Sequence, residues 1–253
     1  MHHVVICLLV FGCVFGSALL GLYLRTRLPK HHLDEDSIGV VKLATGLIAT
    51  MAALVLGLLI SSAKSSFDSV NSGLVHNAAS IITLDRMLAN YGPETGEIRR
   101  LLKSTYGESI QILASGDRVQ IARLGSREAV VRVEGLKLKL AQLLPHSDAQ
   151  RQLQARAIQL ADEVVAARWL ALLQAAGAIP IPLLIALVLW LSIVFAAFGM
   201  LAPPNGTVIA ALFLGALSTS GAIFLILEMN TPLDGVITIS LAPLREALAI
   251  LGN

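Results

Sequence analysis

The residues able to do chemistry are few, and they stand in five places. Two histidine pairs lie near the start, His2-His3 and His31-His32, the second beside Asp34-Glu35-Asp36. Imidazoles next to carboxylates suggest metal binding. These pairs, however, flank one apolar run long enough to cross a bilayer, so they face opposite sides and cannot share an ion. His31-His32 reads as a solvated loop, and no metal site is expected. A hydroxyl cluster, Ser218-Thr219-Ser220, sits midway along a late apolar run. Hydroxyls there either line a polar path or bond back to a helix, and the second use is the commoner. Glu228 and Asp234 follow the same run. Both stand where a pore mouth would be, although a boundary carboxylate is ordinarily just solvated. Trp190 lies at mid-depth of another run, away from the interface tryptophan favours. Its indole N–H needs a partner, and the Ser218–Ser220 hydroxyls lie at a comparable depth.

No Ser-His-Asp arrangement, metalloprotease helix, phosphate loop or paired-cysteine site is present in the sequence. No catalytic residue and no cofactor is therefore assigned, and the chain is not expected to be an enzyme. Cys7 and Cys13 share one helix about 9 Å apart, beyond the reach of a disulfide. Asn205-Gly206-Thr207 spells a glycosylation acceptor, but its turn hugs the bilayer and the match reads as chance.

The elements that must position these groups follow from composition. Of 253 residues, 55% are hydrophobic and only 14% charged, where a soluble domain carries about a quarter charged. Mean hydropathy is +0.75. This is an integral membrane protein, and its formal net charge of +2 points to no nucleic-acid partner. No Asp, Glu, Lys or Arg occurs from His3 to Leu24, from Leu43 to Ala63, or from Trp169 to Leu227. A crossing needs about 20 apolar residues. The first two runs fit one crossing each. The third fits two, because Ala202-Pro203-Pro204-Asn205-Gly206 interrupts it with turn chemistry. Four helices are predicted, at about 3–24, 40–63, 180–202 and 206–227. The first is read as a retained helix rather than a cleaved signal, since no Lys or Arg precedes it and Arg25 and Arg27 follow it.

Most of the remaining charge lies in 64–177, which reads as a soluble helical bundle inserted between the second and third crossings. From Phe67 a heptad runs Phe67, Leu74, Ile81, Leu88, with a second row Val70, Asn77, Leu84, Tyr91. No breaker separates it from the second crossing, so one long helix continues until Gly92-Pro93. Further helices are predicted at 94–115, stopped by Gly116, and at 127–144, ended by Pro145. Another opens at Ser147, capped with Gln150. Pro180 and Pro182 mark the break before the third crossing, and 116–126 is the least patterned segment. After a link at 231–242, Pro243 opens a short helix at 243–251. Small residues repeat at Gly12/Gly16, Ser17/Gly21, Ala49/Ala53/Gly57 and Ala211/Gly215/Thr219. Such ladders allow close helix approach within one chain or between copies.

The run Trp190-Leu-Ser192, Phe195-Ala-Ala-Phe198-Gly199, Ala202-Pro203, Asn205-Gly-Thr207, Ala222-Ile-Phe224-Leu-Ile-Leu-Glu228-Met, Pro232-Leu-Asp234-Gly235, Ser240 and Pro243-Leu244 resembles one family. So does Leu84-Asp85-Arg86, Leu88, Tyr91-Gly92-Pro93-Glu94 with Arg99. The chain is similar to bacterial membrane proteins with a bestrophin-like domain, whose function is itself unknown. The resemblance implies the bestrophin layout: four membrane helices, a helical soluble part between the second and third, and a pentameric anion channel lined by the second. This chain departs from that pattern in two respects. Its second helix has no aromatic residue for a Phe-lined neck, and no acidic cluster resembles the calcium-binding clasp.

Two functional readings follow. One is a homo-oligomeric channel in the bacterial inner membrane. Leu56, Leu59, Ile60, Ser61 and Ser62 would form its constriction and Lys42 would lie near the other mouth. The other is a non-conducting interaction or sensory module, anchored in the lipid bilayer and binding an envelope protein through the helical domain. Positive residues near membrane ends set orientation. Arg25, Arg27, Lys30 and Lys42 on one side narrowly outweigh Lys64, Arg168 and Arg245 on the other. The charge count puts loop 25–37 in the cytoplasm and the helical domain outside it, whereas the bestrophin resemblance implies a cytosolic domain.

Overall fold

A computed structural model describes residues 2–29, 35–175, 181–233 and 235–252. Among these residues the chain is all-α and divides into two compact units, Met1–Ser65 with Ala178–Asn230, and Ser66–Gly177 with Thr231–Asn253. Four helices are long and apolar enough to cross a membrane. They are α1 (His2–Arg27), α2 (Glu35–Tyr91), α7 (Ile181–Leu201) and α8 (Gly206–Met229). The protein is therefore an all-α integral membrane protein with a helical bundle inserted between its second and third membrane helices. The break expected at Pro180 lies outside the described residues. Pro182 falls in the first turn of α7, where a missing N–H costs nothing.

In the first unit, Cys7, Val10, Val14, Ala18 and Leu22 make one buried stripe of α1. Their spacing of three and four keeps them on a single face. That face meets Leu187 and Phe195 of α7 and Leu212, Ala216 and Ile223 of α8. Two glycines permit the closest crossing. A Cβ on Gly21 would stand 2.0 Å from the Ala196 carbonyl oxygen, and one on Gly199 would stand 2.1 Å from that of Ala18. Gly21, from the expected Ser17/Gly21 pair, thus lets α1 approach α7 within the chain. Gly12, Gly16 and Gly57 meet nothing within 4 Å. Arg25 donates to the Leu201 carbonyl at 2.6 Å, and the Asn205 side chain accepts the Val208 N–H at 2.8 Å to cap α8. Asn205 is thereby engaged as a helix cap.

The second unit is built on the C-terminal part of α2. Its heptad residues Ile81, Leu84 and Leu88 are buried against α3 (Gly96–Ala114), α5 (Arg127–Ala141), α6 (Asp148–Ala175) and α9 (Ala242–Ile250), and Tyr91 is buried at the helix end. The polar seam residue Asn77 donates to the Val164 carbonyl at 3.0 Å, which satisfies it without breaking the seam. Gly92 ends α2 at φ +143, and a single 3-10 turn, Pro93–Thr95, leads into α3. Gly116 stops α3 at φ +62. The least patterned stretch nevertheless holds a short helix, α4 (Arg118–Arg123), started by Asp117 accepting the Val119 N–H. Six residues are too few to show an amphipathic period, and capping chemistry was the available signal. The fifth helix ends at Ala141, ahead of Pro145, because Gln154 of α6 donates to the Leu140 and Leu143 carbonyls at 2.9 Å each.

Candidate functional site

The site follows from how α2 is used inside the membrane unit. At 100° per residue, positions 45, 52, 59 and 63 fall on one face, and Thr45, Ala52, Leu59 and Ala63 are all buried there. Val55 and Leu56 pack against the same cluster. A second face carries Leu43, Leu47, Leu54 and Leu58, with Leu43 79% exposed; such a stripe suits lipid. The third face is also exposed but chemically different: Lys42, Gly46, Thr50, Ala53, Gly57, Ile60 and Lys64. Nothing lies within 4 Å of where a Cβ on Gly46 or Gly57 would stand. A small and polar stripe gains little from acyl chains and favours close helix approach or water.

The six residues read as a pore set do not share one face. Lys42, Ile60, Ser61 and Ser62 are exposed. Leu59 is only 5% exposed and lies in the core cluster, with Leu56 packed against it. Residues 59, 60, 61 and 62 are successive on a helix and necessarily point in four directions.

On α8, Ser220 is buried and donates to the Cys7 carbonyl of α1 at 2.7 Å. Thr219 donates back to the Gly215 carbonyl at 2.9 Å. The first bond ties α8 to α1, the second stays within α8, and Ser218 is exposed. Trp190 is half-buried against the membrane core. Glu228 corrects the expectation of a solvated boundary acid: it is only 3% exposed. His3 Nδ1 lies 3.0 Å from Glu228 Oε1. A carboxylate carried into an apolar bundle needs such a partner, and an even number of crossings brings the chain start beside the end of α8. Asp234, His31 and His32 lie outside the described residues. Among the described residues, no group of three or more His, Cys, Asp or Glu could hold a metal ion.

The helical unit contains a polar knot that sequence spacing does not reveal. Arg99 donates from Nε and Nη2 to the two Asp85 oxygens, both at 2.8 Å. The Gly252 N–H donates to the same carboxylate at 3.2 Å, and Lys103 holds the Leu251 carbonyl at 2.6 Å. Burial would raise the Asp85 carboxyl, but the bonds from Arg99 and Gly252 outweigh it and hold the group below its ordinary value. The C-terminal residues are thus docked on α2 and α3.

Comparison with known proteins agrees with this architecture. The chain is similar in fold to two single-substitution forms of a bacterial bestrophin homologue from Klebsiella pneumoniae. One is 15% identical with a TM-score of 0.64, covering 97% of this chain and 99% of that one. The other is 16% identical with a TM-score of 0.65, covering 95% and 99%. No curated protein matches the sequence. The family model for the bestrophin-like domain matches residues 12–244. Four membrane helices, an inserted helical bundle, the solved relatives and this match leave one assignment: the chain belongs to the bestrophin-like domain family.

Proposed function

We propose that the protein is a homo-oligomeric, channel-like membrane protein whose copies meet around the third face of α2. The supporting observation is that face itself, with Gly46, Ala53 and Gly57 open and Lys42 and Lys64 at its two ends. In this reading Ile60 supplies a hydrophobic constriction, with Ser61 beside it, and the lysines favour anions at the mouths. Leu56 and Leu59 support the helix from behind. The function is conduction, with no enzymatic step. The protein sits in the bacterial inner membrane, and the local charge count orients the helical unit to the outside.

Two measurements test this proposal. The detergent-purified assembly is weighed by a size-calibrated method, and flux is followed in liposomes with Ile60→Asp alongside the parent. A closed ring whose leak or selectivity changes with Ile60→Asp supports the reading. A monomer, or unaltered conductance in a verified ring, removes α2 from any pore. A reporter active only outside the cytoplasm, fused at Gly116, checks orientation; silence there, with a cytoplasmic reporter lit, reverses it. A second reading, a non-conducting sensory or interaction module, draws on the lack of charge between Lys42 and Lys64. It is favoured if the ring forms and no ion crosses.

A further inference from the structure

The helical unit holds a partly open cavity of about 110 Å³ between α2, α3, α5 and α6. Its walls are mostly leucine, isoleucine and valine side chains, but one end is polar, where Thr105, Ser109, Arg132 and Arg168 lie. Several of these groups are already engaged. Ser109 donates to the Thr105 carbonyl at 2.9 Å, and Arg132 pairs with Glu108 at 2.9 Å at the surface. Two lining residues are not fully engaged. Tyr106 is 6% exposed, and its hydroxyl has no hydrogen-bond partner among the described residues. Arg168 donates through Nη2 to the Leu124 carbonyl at 2.5 Å, which leaves most of its five donors available. Burial, and then the charge of Arg132, push the Arg168 guanidinium below its ordinary value. Two arginines, Arg132 and Arg168, thus share that end with one carboxylate, Glu108.

From this geometry we infer that the cavity is a binding site for a small carboxylic acid with a short aliphatic body, of about the size of butyrate. Size sets the body: an engineered apolar cavity of about 150 Å³ takes up benzene, and this smaller one suits a short chain rather than a ring. Chemistry sets the head. A planar carboxylate accepts two parallel bonds from a guanidinium, and its remaining lone pairs can accept the buried Tyr106 hydroxyl. Glu108 stays paired with Arg132 at the mouth, so Arg168 is the anchoring cation. An unmet buried hydroxyl is costly, and a ligand that accepts from Tyr106 removes that cost.

The test uses the full chain in lipid nanodiscs with Trp190→Phe, which leaves Trp169 as the reporter. The Trp169 ring would lie 3.5 Å from a Cβ on Gly125, next to the Leu124 carbonyl that Arg168 holds. Butyrate is titrated against 1-butanol, its neutral counterpart, by fluorescence and calorimetry. Saturable butyrate binding, at least about tenfold tighter than the alcohol, is the expected result, since hydrogen bonds to charged groups are the strong ones. Arg168→Gln should lose about tenfold in affinity for the same reason. Tyr106→Phe should also weaken binding while leaving the thermal midpoint unchanged or higher, which separates a binding role from a folding one. A linear, non-saturating response, equal affinity for the alcohol, or unchanged affinity in Tyr106→Phe each overturns the proposal.

Discussion

The two units solve the same packing problem with opposite means. In the membrane unit the environment is as apolar as the interior, so burying leucine there gains nothing over leaving it in lipid. Stability comes instead from close approach, as at Gly21 and Gly199, and from single hydroxyl bonds such as Ser220 to Cys7. Large apolar side chains such as Leu54 and Leu58 remain exposed. In the helical unit water surrounds the bundle, and Leu84, Leu88, Leu140 and Leu251 are withdrawn from it almost completely. There a charged group can be buried only when several donors satisfy it, as at Asp85. The contrast explains why glycine positions are critical in one unit and a carboxylate in the other.

The largest effect should come from Asp85→Ala, which removes the buried carboxylate that Arg99 and the Gly252 N–H share. Removing one partner of a buried pair costs about 3–5 kcal/mol. Denaturation followed by hydrogen exchange should place the loss in the helical unit and spare α1, α7 and α8. Uniform destabilisation of both units would break the comparison.

Next in size is Gly199→Val, whose first side-chain carbon would meet the Ala18 carbonyl at 2.1 Å. Overpacking costs about 1–3 kcal/mol or more. Cross-linking between cysteines placed on α1 and α7 should report the separation. Gly57→Val, with nothing within 4 Å, should leave the single chain intact and alter only assembly. If both glycine variants behave alike, the face carrying Gly57 is not open.

Acid sharpens the contrast further. The Asp85 carboxyl is lowered from its ordinary value of 3.8. A depressed folded pKa contributes stability that is present above the unfolded value. That contribution is lost as pH falls from 3.8 through the lower folded value. The helical unit should therefore lose stability in this window, and Asp85→Asn should flatten the loss in an acid unfolding series followed by circular dichroism. An acid limb unchanged in Asp85→Asn would assign it to other carboxylates. The smallest change belongs to Ser220→Ala. Hydroxyl bonds between membrane helices are worth about 0.6 kcal/mol on average, so a barely lowered thermal midpoint is expected.

Much of the fold was legible in the primary structure because its signals are local. Apolar runs of crossing length located α1, α7 and α8, and turn residues at Gly92-Pro93 and Gly116 placed the ends of α2 and α3 closely. The heptad from Phe67 identified the seam that packs in the helical unit. Local signals failed where an element is too short to show a period, as in α4. They also failed where a partner on another helix decides the boundary, as Gln154 does for α5. Six pore residues were chosen by depth along the helix, and depth does not say which way each side chain points.

By itself, then, the sequence determined that this chain crosses a membrane four times and carries a helical bundle between the second and third crossings. Crossing depends on about 20 consecutive apolar residues, which any window of the chain displays. Only the tertiary structure decided which face of α2 is buried, and that His3 meets Glu228 across 225 positions. It also decided that Gly252 reaches Asp85 across 167, and that Tyr106 and Arg168 border one cavity. Each of these depends on how separate helices are rotated and docked, and that is set by the sum of many weak packing contacts rather than by any local stretch of residues.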